Sequence, residues 1–472
     1  MLGPSRISRI GCGHPLFRPI PGGSTAARSS CHETARALAY RFVHTADLHL
    51  DSPLRSLAMR DAALAGRVAV AAREAFERIV SHCLEERVDA LMIAGDLYDG
   101  RQTSVKTGLF LAAQLARLHE AGIATFVVRG NHDAQSKLTR GLDLPPSVHV
   151  FDGRGGAGAI AREASDGARE VRVHGVSFGK PHAPDSLLPS YAAPTEDAIE
   201  IGLMHTSLGG DAAHDAYAPC ALADLVGHGF AYWGLGHVHA RAVHHEAGDG
   251  AVVMAGMPQG RDVGEAGEKS ATLVAIAEDG TVTLDELPSS VATFARERVT
   301  LPPEAGWDDA LAAAEDALIA ASSRTSAPHL VARLEIAGAS RDAWRLVRDK
   351  DALRDELAER LDAGTGVHLE KVEVAVEAPE SKAVRPDLGA APLQELRGLM
   401  REVANTPAFR AHGHELAGRL ASALKSRHLR DLVLGTDEDA REQLLDEAVE
   451  RGLREIGARL EVEARVAADG TA

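Results

Sequence analysis

One short apolar stretch most constrains how this chain can fold. Ala90–Ala94 is a continuous apolar run that stops at Gly95 and is followed at once by Asp96. A run of this length, bounded by a turn residue, predicts a strand buried on both faces of a layered sheet. Functional groups in such sheets collect beyond the carboxyl ends of the strands. Because glycine lets the backbone turn sharply, Asp96 is expected to point into a cleft.

Four other stretches share this design, in which an apolar segment ends at potential metal ligands. Any one of them, taken alone, is more often a satisfied core or loop residue. Together they indicate a single shared site. The five stretches are Asp47-x-His49, Gly95-Asp96-x-x-Asp99, Gly130-Asn131-His132-Asp133, Met204-His205 and Gly236-His237-x-His239.

The first part of the chain alternates between strand and helix patterns. Predicted strands at 41–46, 90–94 and 124–129 are separated by helical spacing at 61–87 and 103–121, which implies parallel strands with right-handed crossovers. Strands then follow at closer intervals between 171 and 287, and the last two are predicted at 271–277 and 281–287. We predict that they form a second, more antiparallel sheet packed on the first. The expected fold class is α/β, with a two-sheet α/β/β/α sandwich at its core.

The pattern changes again near residue 296. Residues 296–378 predict a small βαβαβ unit with helices at 308–321 and 342–361. The preceding sandwich therefore occupies residues 41–295. After a proline-containing link, residues 386–467 predict helices only, with charged faces and apolar stripes. Two interpretations of these helices are open: a solvated cap, or a docking surface for helices of a partner.

Residues 1–40 are rich in Gly, Pro, Ser and Arg and contain a single acidic residue, Glu33. We interpret this segment as a disordered leader outside the fold, or as sequence translated from an upstream start. An Arg-rich, acid-poor transit peptide is the alternative interpretation.

Composition limits the function classes. A net charge of -17 is unexpected for a nucleic-acid-binding protein, so either the substrate is small or cations and a partner supply positive charge. Aromatic residues make up 4%, which disfavours a stacking platform for single strands. The four scattered cysteines fit a reducing cytoplasm and disfavour a disulfide scaffold or a cysteine zinc site. No apolar run is long enough to span a membrane.

The donor types predict a metal centre. Carboxylate, imidazole and amide oxygen without thiolate suit divalent Mn, Fe or Zn. His237 and His239 flank one residue and can reach two ions if the loop turns, and Asp96 can bridge the ions. Paired ions about 3.5–4 Å apart clamp a phosphate ester and generate hydroxide at neutral pH. The sequence therefore predicts phosphoester hydrolysis. His132 is then free to act as the acid for the leaving oxygen, with Asp99 orienting it.

This ordered set of motifs resembles the calcineurin-like metallophosphoesterase superfamily over about residues 41–290. The resemblance implies one metal on Asp47, His49, Asp96 and His239. It implies a second metal on Asp96, Asn131, His205 and His237, with His132 as proton donor paired to Asp99.

Further segments are similar to the DNA-repair exonuclease branch, the SbcD-type nuclease subunits. They are His44–Pro53, Val128–Asp133, Tyr232–His239 and Gly256–Arg261. This similarity implies a Mn-dependent exo/endonuclease acting on duplex DNA ends in double-strand-break or DNA-end repair. It also implies that 41–295 is catalytic, that 296–378 caps DNA, and that 386–467 docks an SMC-like or AAA-type ATPase. A homodimer is compatible with it. Asp99 and Thr206, where many members have His and Gln, place the chain nearer a sister bacterial group of exonuclease-like proteins.

Two other functions are open at this stage. A small-molecule or nucleotide phosphodiesterase would account for the acidic composition without a partner. A non-catalytic scaffold with a vestigial metal site is the third hypothesis, and the intact ligand set disfavours it.

Overall fold

The structure is a computed structural model, and it describes eleven stretches of the chain. Most of the predicted leader lies outside them, as do the first part of the predicted helix at 61–87 and parts of the helical segment 386–467. The described residues are 39–52, 70–99, 104–135, 142–156, 158–165, 167–209, 217–248, 250–361, 365–379, 390–423 and 438–469.

Two six-stranded sheets and one three-stranded sheet organise the described residues. The strands are β1 Tyr40–Thr45, β2 Ala90–Ala94, β3 Ala124–Val128, β4 Val148–Val150, β5 Ala159–Arg162, β6 Glu170–Gly175, β7 Ala198–His205, β8 Tyr232–Gly236, β9 Ala242–Ala247, β10 Gly250–Met254, β11 Ser270–Ile276, β12 Val282–Pro288, β13 Ala292–Leu301, β14 His329–Ala339 and β15 Val367–Glu377. The helices are α1 Ala71–Glu86, α2 Val105–Glu120, α3 Leu222–His228, α4 Trp307–Ser322, α5 Ala343–Arg348, α6 Lys350–Arg360, α7 Ala390–Ala404, α8 Pro407–Ala423 and α9 Glu438–Asp469.

The first sheet has the order β12-β11-β1-β2-β3-β4. Its central strands are parallel, as the strand–helix alternation predicts. β2 is buried at all five positions, which fits a strand covered on both faces. The parallel arrangement brings the carboxyl ends of β1, β2 and β3 to one edge.

The second sheet, with the order β5-β6-β7-β8-β10-β9, corrects the sequence prediction. Its four central strands are parallel, and only the edge strands β5 and β9 pair antiparallel. The strands predicted at 271–277 and 281–287 do not join it. They form β11 and β12, which extend the first sheet through an antiparallel pairing of β11 with β1.

The two sheets pack face to face around an apolar layer. The first sheet contributes residues such as Phe42, Met92 and Phe126, and the second contributes residues such as Ile201 and Tyr232. Helices α1 and α2 cover the outer face of the first sheet, and α3 lies against the outer face of the second. The predicted α/β/β/α sandwich is therefore confirmed. Stacking the sheets places the carboxyl ends of β7 and β8 beside those of β1 and β2.

The third sheet, β13-β14-β15, is parallel throughout and forms the predicted βαβαβ arrangement. Its apolar side chains pack with α4, α5 and α6 into a separate core. The helix predicted at 342–361 is interrupted at Asp349, where α5 ends and α6 begins. Among the described residues, no helix is both long enough and apolar enough to cross a bilayer.

Candidate metal centre

The predicted ligands follow the carboxyl ends of five strands from both sheets. Within one to four residues of its strand end, each contributing loop presents a carboxylate, amide or imidazole, and His205 is itself the last residue of β7. The ligands by strand are Asp47 and His49 after β1, Asp96 after β2, Asn131 after β3, His205 at the end of β7, and His237 and His239 after β8.

Glycines allow the loops to approach one another closely. A Cβ at Gly130 would overlap the Asp96 Oδ1 atom and lie 2.7 Å from His205 Cε1. A Cβ at Gly95 would overlap the His205 ring, and Gly95 has a φ of +98° that favours glycine. The glycines that precede Asp96 and Asn131 are therefore required by packing within the site.

The first donor group comprises Asp47, His49 and His239. One ligand atom from each lies within 4.8 Å of the other two. His49 Nε2 and His239 Nε2 are 3.2 Å apart. Asp47 is held in place by the backbone N–H of His237, which donates to both of its carboxylate oxygens.

The second donor group comprises Asp47, Asp96 and His205, again with ligand atoms within 4.8 Å of one another. Asn131 Oδ1 joins it, at 2.9 Å from His205 Nε2. The His237 ring lies beside this group, with its centroid 5.1 Å from that of His205.

Asp96, a member of the second group, also faces the first group. Its Oδ1 accepts a hydrogen bond from the backbone N–H of His132 at 3.0 Å. Its Oδ2 is 3.9 Å from His49 Nε2 and 3.5 Å from His205 Nε2. One carboxylate therefore faces imidazoles of both donor groups.

The proton positions on the imidazoles test whether these residues fit metal ions. His205 Nδ1 lies 2.9 Å from the Ala94 carbonyl, which can only accept, so Nδ1 carries the proton. The lone pair on Nε2 then faces the oxygen of Asn131. Glu265 Oε1 lies 2.8 Å from His239 Nδ1 and accepts its proton in a hydrogen bond. Because Nδ1 carries the proton, the lone pair of the His239 ring is on Nε2. Lone pairs directed at other acceptors are what a cation between them would satisfy.

Electrostatics lead to the same conclusion. Burial, and then the neighbouring Asp96 carboxylate, raise the pKa of Asp47 well above its usual range. Burial raises the pKa of Asp96 to about 6. Burial also lowers the pKa of His205 to about 3 and the pKa of His49 well below its ordinary value. Neutral imidazoles beside mutually repelling carboxylates suit divalent cations, which accept the lone pairs and offset the repulsion.

His132 and Asp99 lie together at the edge of this centre. His132 Nδ1 is 3.2 Å from Asp99 Oδ1, and Asp99 also accepts from the Ser52 hydroxyl at 3.0 Å. The His132 ring is 5.1 Å, centroid to centroid, from the His49 ring. The hydrogen bond with Asp99 raises the pKa of His132 and lowers the pKa of Asp99. Both side chains are about one-third exposed, so His132 can reach a substrate.

Asp133 holds the loops around the centre. It accepts hydrogen bonds from the backbone N–H groups of Gly130, Leu97 and Tyr98 at 3.1–3.2 Å. The carboxylate of Asp133 thereby joins the loop after β2 to the loop after β3, which carry Asp96 and Asn131.

Sequence reasoning missed Glu265 and the role of Arg261. Glu265 binds His239 Nδ1, and Arg261 binds Glu265 through its backbone N–H at 2.8 Å and its guanidinium at 2.6 Å. Burial of Glu265 opposes its charge, but the hydrogen bonds from His239 and Arg261 outweigh burial and lower its pKa to about 2. Glu265 lies 26 positions from His239, and no local pattern connects them.

Two segments of the chain match models of known protein families. Residues 40–241 match the model of the calcineurin-like phosphoesterases. Residues 294–377, which include nearly all of the third sheet, match the middle domain of metallophosphoesterase YhaO.

Individual relatives match about half of the chain or less. A metallophosphoesterase from Bacillus subtilis, YhaO, described as uncharacterized, is 34% identical over 49% of this chain and 56% of its own length. A DNA double-strand break repair protein, Mre11 of Methanopyrus kandleri, is 26% identical over 42% of this chain and 44% of its own length. The chain thus spans about half the length of these curated relatives. A dimetal phosphatase structure from Danio rerio aligns over 53% of this chain and 99% of that chain, with 14% identity and a TM-score of 0.31.

Proposed function

We propose, from the premise that this chain contains a calcineurin-like metallophosphoesterase domain, that it is a dinuclear-metal phosphodiesterase acting on duplex DNA ends. Metal-dependent phosphoester hydrolysis belongs to the family. DNA as substrate, Mn²⁺ as the metal and an ATPase as partner are our extension. The choice of DNA as substrate is supported by relatives named as DNA double-strand break repair proteins.

The position of Asp96 is the observation that carries the proposal. Its Oδ2 faces His49 of one donor group and His205 of the other, so a single carboxylate can serve two ions. We assign one ion to Asp47, His49, Asp96 and His239. We assign the other to Asp96, Asn131, His205 and His237. Two divalent cations held there would supply Lewis acidity toward the phosphate ester and lower the pKa of the attacking water.

The chain's own residues then orient the ester and move the proton. Asp99 accepts from His132 Nδ1, which fixes the ring and leaves Nε2 directed at the substrate side. His132 can donate the Nε2 proton to the oxygen that leaves phosphorus. The raised pKa of His132 keeps this proton available near neutral pH.

We further propose roles for the remaining parts of the chain. The third sheet and its helices, within 296–378, would contact DNA beside the centre. The helices within 386–467 would dock an SMC-like or AAA-type ATPase. Exposed apolar side chains on these helices support the docking role: Leu396, Leu399, Val403, Phe409, Leu416, Leu420, Leu444 and Ile456.

The test compares two substrates in Mn²⁺-supplemented buffer: linear duplex DNA and bis-p-nitrophenyl phosphate. We expect the wild type to hydrolyse both. Asp96→Asn is expected to lose activity together with metal. His132→Ala is expected to lose about 100-fold or more while retaining metal. His119→Ala, an exposed histidine that contacts Ser147, is the matched control and should retain activity.

A small-molecule or nucleotide phosphodiesterase is the second candidate. The net charge of -17 favours it, because an acidic chain repels the phosphate backbone. Hydrolysis of the chromogenic ester without DNA cleavage would support this candidate over the nuclease.

A further inference from the structure

The loop at residues 256–267, here called the bridging loop, contacts the metal centre on one side and the third sheet on the other. The Met257 N–H donates to the His239 carbonyl at 3.1 Å, so the loop is bonded to the backbone of a predicted ligand. Its Glu265 accepts from the Nδ1 of the same histidine at 2.8 Å. His239 is therefore held by the bridging loop at both its backbone and its ring.

Glu265 is in turn held by Arg261 within the same loop. The Arg261 guanidinium and backbone N–H both donate to the Glu265 carboxylate. Arg261 also comes within 3.2 Å of His239 Nδ1. Since arginine can only donate, and Nδ1 donates to the closer carboxylate, this last proximity is not a second hydrogen bond to the ring.

The other side of the loop is bonded to the beginning of β13. Gln259 is 3% exposed, and its side chain makes three hydrogen bonds there. Its Nε2 donates to the Ala292 carbonyl at 2.6 Å, and its Oε1 accepts from the N–H groups of Val291 and Ala292 at 2.8 and 3.1 Å. The Gly267 N–H donates to the Phe294 carbonyl at 3.0 Å. A buried side chain with this many partners fixes the loop to the third sheet.

We infer that Glu265 is a positioning residue for the metal ligand His239, and that Gln259 transmits the position of the third sheet to it. The inference rests on the proposed dinuclear centre. A carboxylate on the second nitrogen of a ligating histidine fixes its tautomer and ring orientation and strengthens it as a ligand. Here that carboxylate belongs to a loop anchored on another sheet, so the third sheet helps determine how well one of the two ions is held.

The test measures Mn²⁺ binding directly, by equilibrium dialysis with metal quantification. Low-temperature EPR then distinguishes a coupled Mn²⁺ pair from a single ion. We expect the wild type to bind two ions. Glu265→Ala should weaken one of them by about 10–100-fold, leaving a single-ion spectrum at limiting metal. Glu265→Gln retains an acceptor for Nδ1 and should recover part of the affinity. Gln259→Met removes the anchor but not the carboxylate, and should weaken the same ion by a smaller factor.

Glu278→Ala is the matched control. Glu278 is a partly buried carboxylate that pairs with Arg162 and accepts from the Arg169 N–H, away from the centre. It should leave both ions bound. Circular dichroism establishes whether each variant is folded. If Glu265→Ala does not fold, the Mn²⁺ affinity of Glu265→Gln tests the positioning role instead.

Two results are distinguishable. If the wild type binds two ions and both Glu265 variants bind them with unchanged affinity, the positioning role is wrong and the proposed function stands. If the wild type itself fails to bind two ions, the proposed dinuclear function is wrong.

Discussion

Four of the predicted ligands have a backbone conformation that side-chain-bearing residues rarely adopt. Asp47, His49, Asp96 and His237 have φ values of 50°, 42°, 54° and 102°. Each such residue costs on the order of 1–3 kcal/mol and persists only where the surroundings impose it. The neighbouring loops impose it here, for example through the Gly95 carbonyl, which accepts from the Asp47 N–H at 2.9 Å. Contacts between the loops therefore hold these predicted ligands in their unusual backbone conformation.

The close contact around Gly130 gives the first prediction. Gly130→Ala would push a methyl group against Asp96 Oδ1 and His205 Cε1, which displaces the central carboxylate. A displacement of about 1 Å in such a site costs about 100-fold in rate, so we expect at least that loss of ester hydrolysis, together with weaker Mn²⁺ binding. Gly227→Ala, in helix α3 with open space around its Cβ position, should retain both. Full activity in Gly130→Ala would show that the loops can separate at no cost.

A second prediction concerns Asp99 and the pH profile. The hydrogen bond that His132 donates to Asp99 raises the pKa of His132, so the protonated ring persists to higher pH. Asp99→Asn removes the charge and lowers that pKa. We therefore expect the alkaline limb of the kcat profile to move to lower pH, with kcat falling about 10–100-fold above neutrality. The measurement is kcat for the chromogenic ester as a function of pH. An alkaline limb that stays in place would assign that limb to another group.

At the residue scale, sequence patterns locate the proposed ligands but not all of the residues that hold them. The ligands follow strand ends within a few positions, so local patterns locate them. Asp133, whose carboxylate holds these loops together, lies within one of the same motifs and is located in the same way. Glu265 was not, because its contact with His239 joins two segments that only the tertiary fold brings together.

At the scale of elements, continuous apolar runs located the central strands to within a residue or two. The prediction that the second sheet is more antiparallel was wrong. Its parallel strands β6, β7 and β8 are joined by links at 176–197 and 206–231, in which the only regular helix among the described residues is the seven-residue α3. With so little helical periodicity between them, these strands look like members of an antiparallel sheet. The pairing of β11 with β1 spans more than 200 residues and leaves no local signal.

A third prediction concerns a contact between the two sheets. His44 of β1 is fully buried, with its Nδ1 2.8 Å from the Tyr232 hydroxyl of β8. Burial lowers the pKa of His44 to about 3. In the unfolded chain, His44 therefore binds a proton as the pH falls below about 6.5. In the folded protein, His44 stays neutral until about pH 3. Stability that is fully present above pH 6.5 is lost over this interval.

The measurement is urea unfolding of wild type and His44→Asn in EDTA between pH 7 and pH 4. Asn retains an acceptor near the Nδ1 position but does not titrate. We expect the stability difference between the two proteins to shrink by about 1.4 kcal/mol for each pH unit below 6.5. Comparing two proteins that share every other histidine cancels the remaining titrations. A constant difference across this range would mean that His44 is protonated in the folded state.

At the scale of the whole molecule, acidic charge and a DNA substrate have to be reconciled. With a net charge of -17, the chain has no general attraction for a phosphate backbone. Under the proposed function, the positive field comes from the ions at the centre and from the partner. Attachment to DNA by the chain alone should therefore depend on metal more than on lysine and arginine.

The fourth prediction follows and is measured by fluorescence anisotropy on a labelled linear duplex. His132→Ala is the protein to use, because it is expected to hold metal without cleaving the probe. In EDTA at about 150 mM salt we expect a Kd no tighter than about 10⁻⁴ M, the weak end of non-specific binding. Mn²⁺ should tighten it at least about tenfold, and the double variant with Asp96→Asn should not respond. Tight binding in EDTA with a steep salt dependence would instead indicate a basic surface on this acidic chain. In that case DNA binding would not depend on the metal ions.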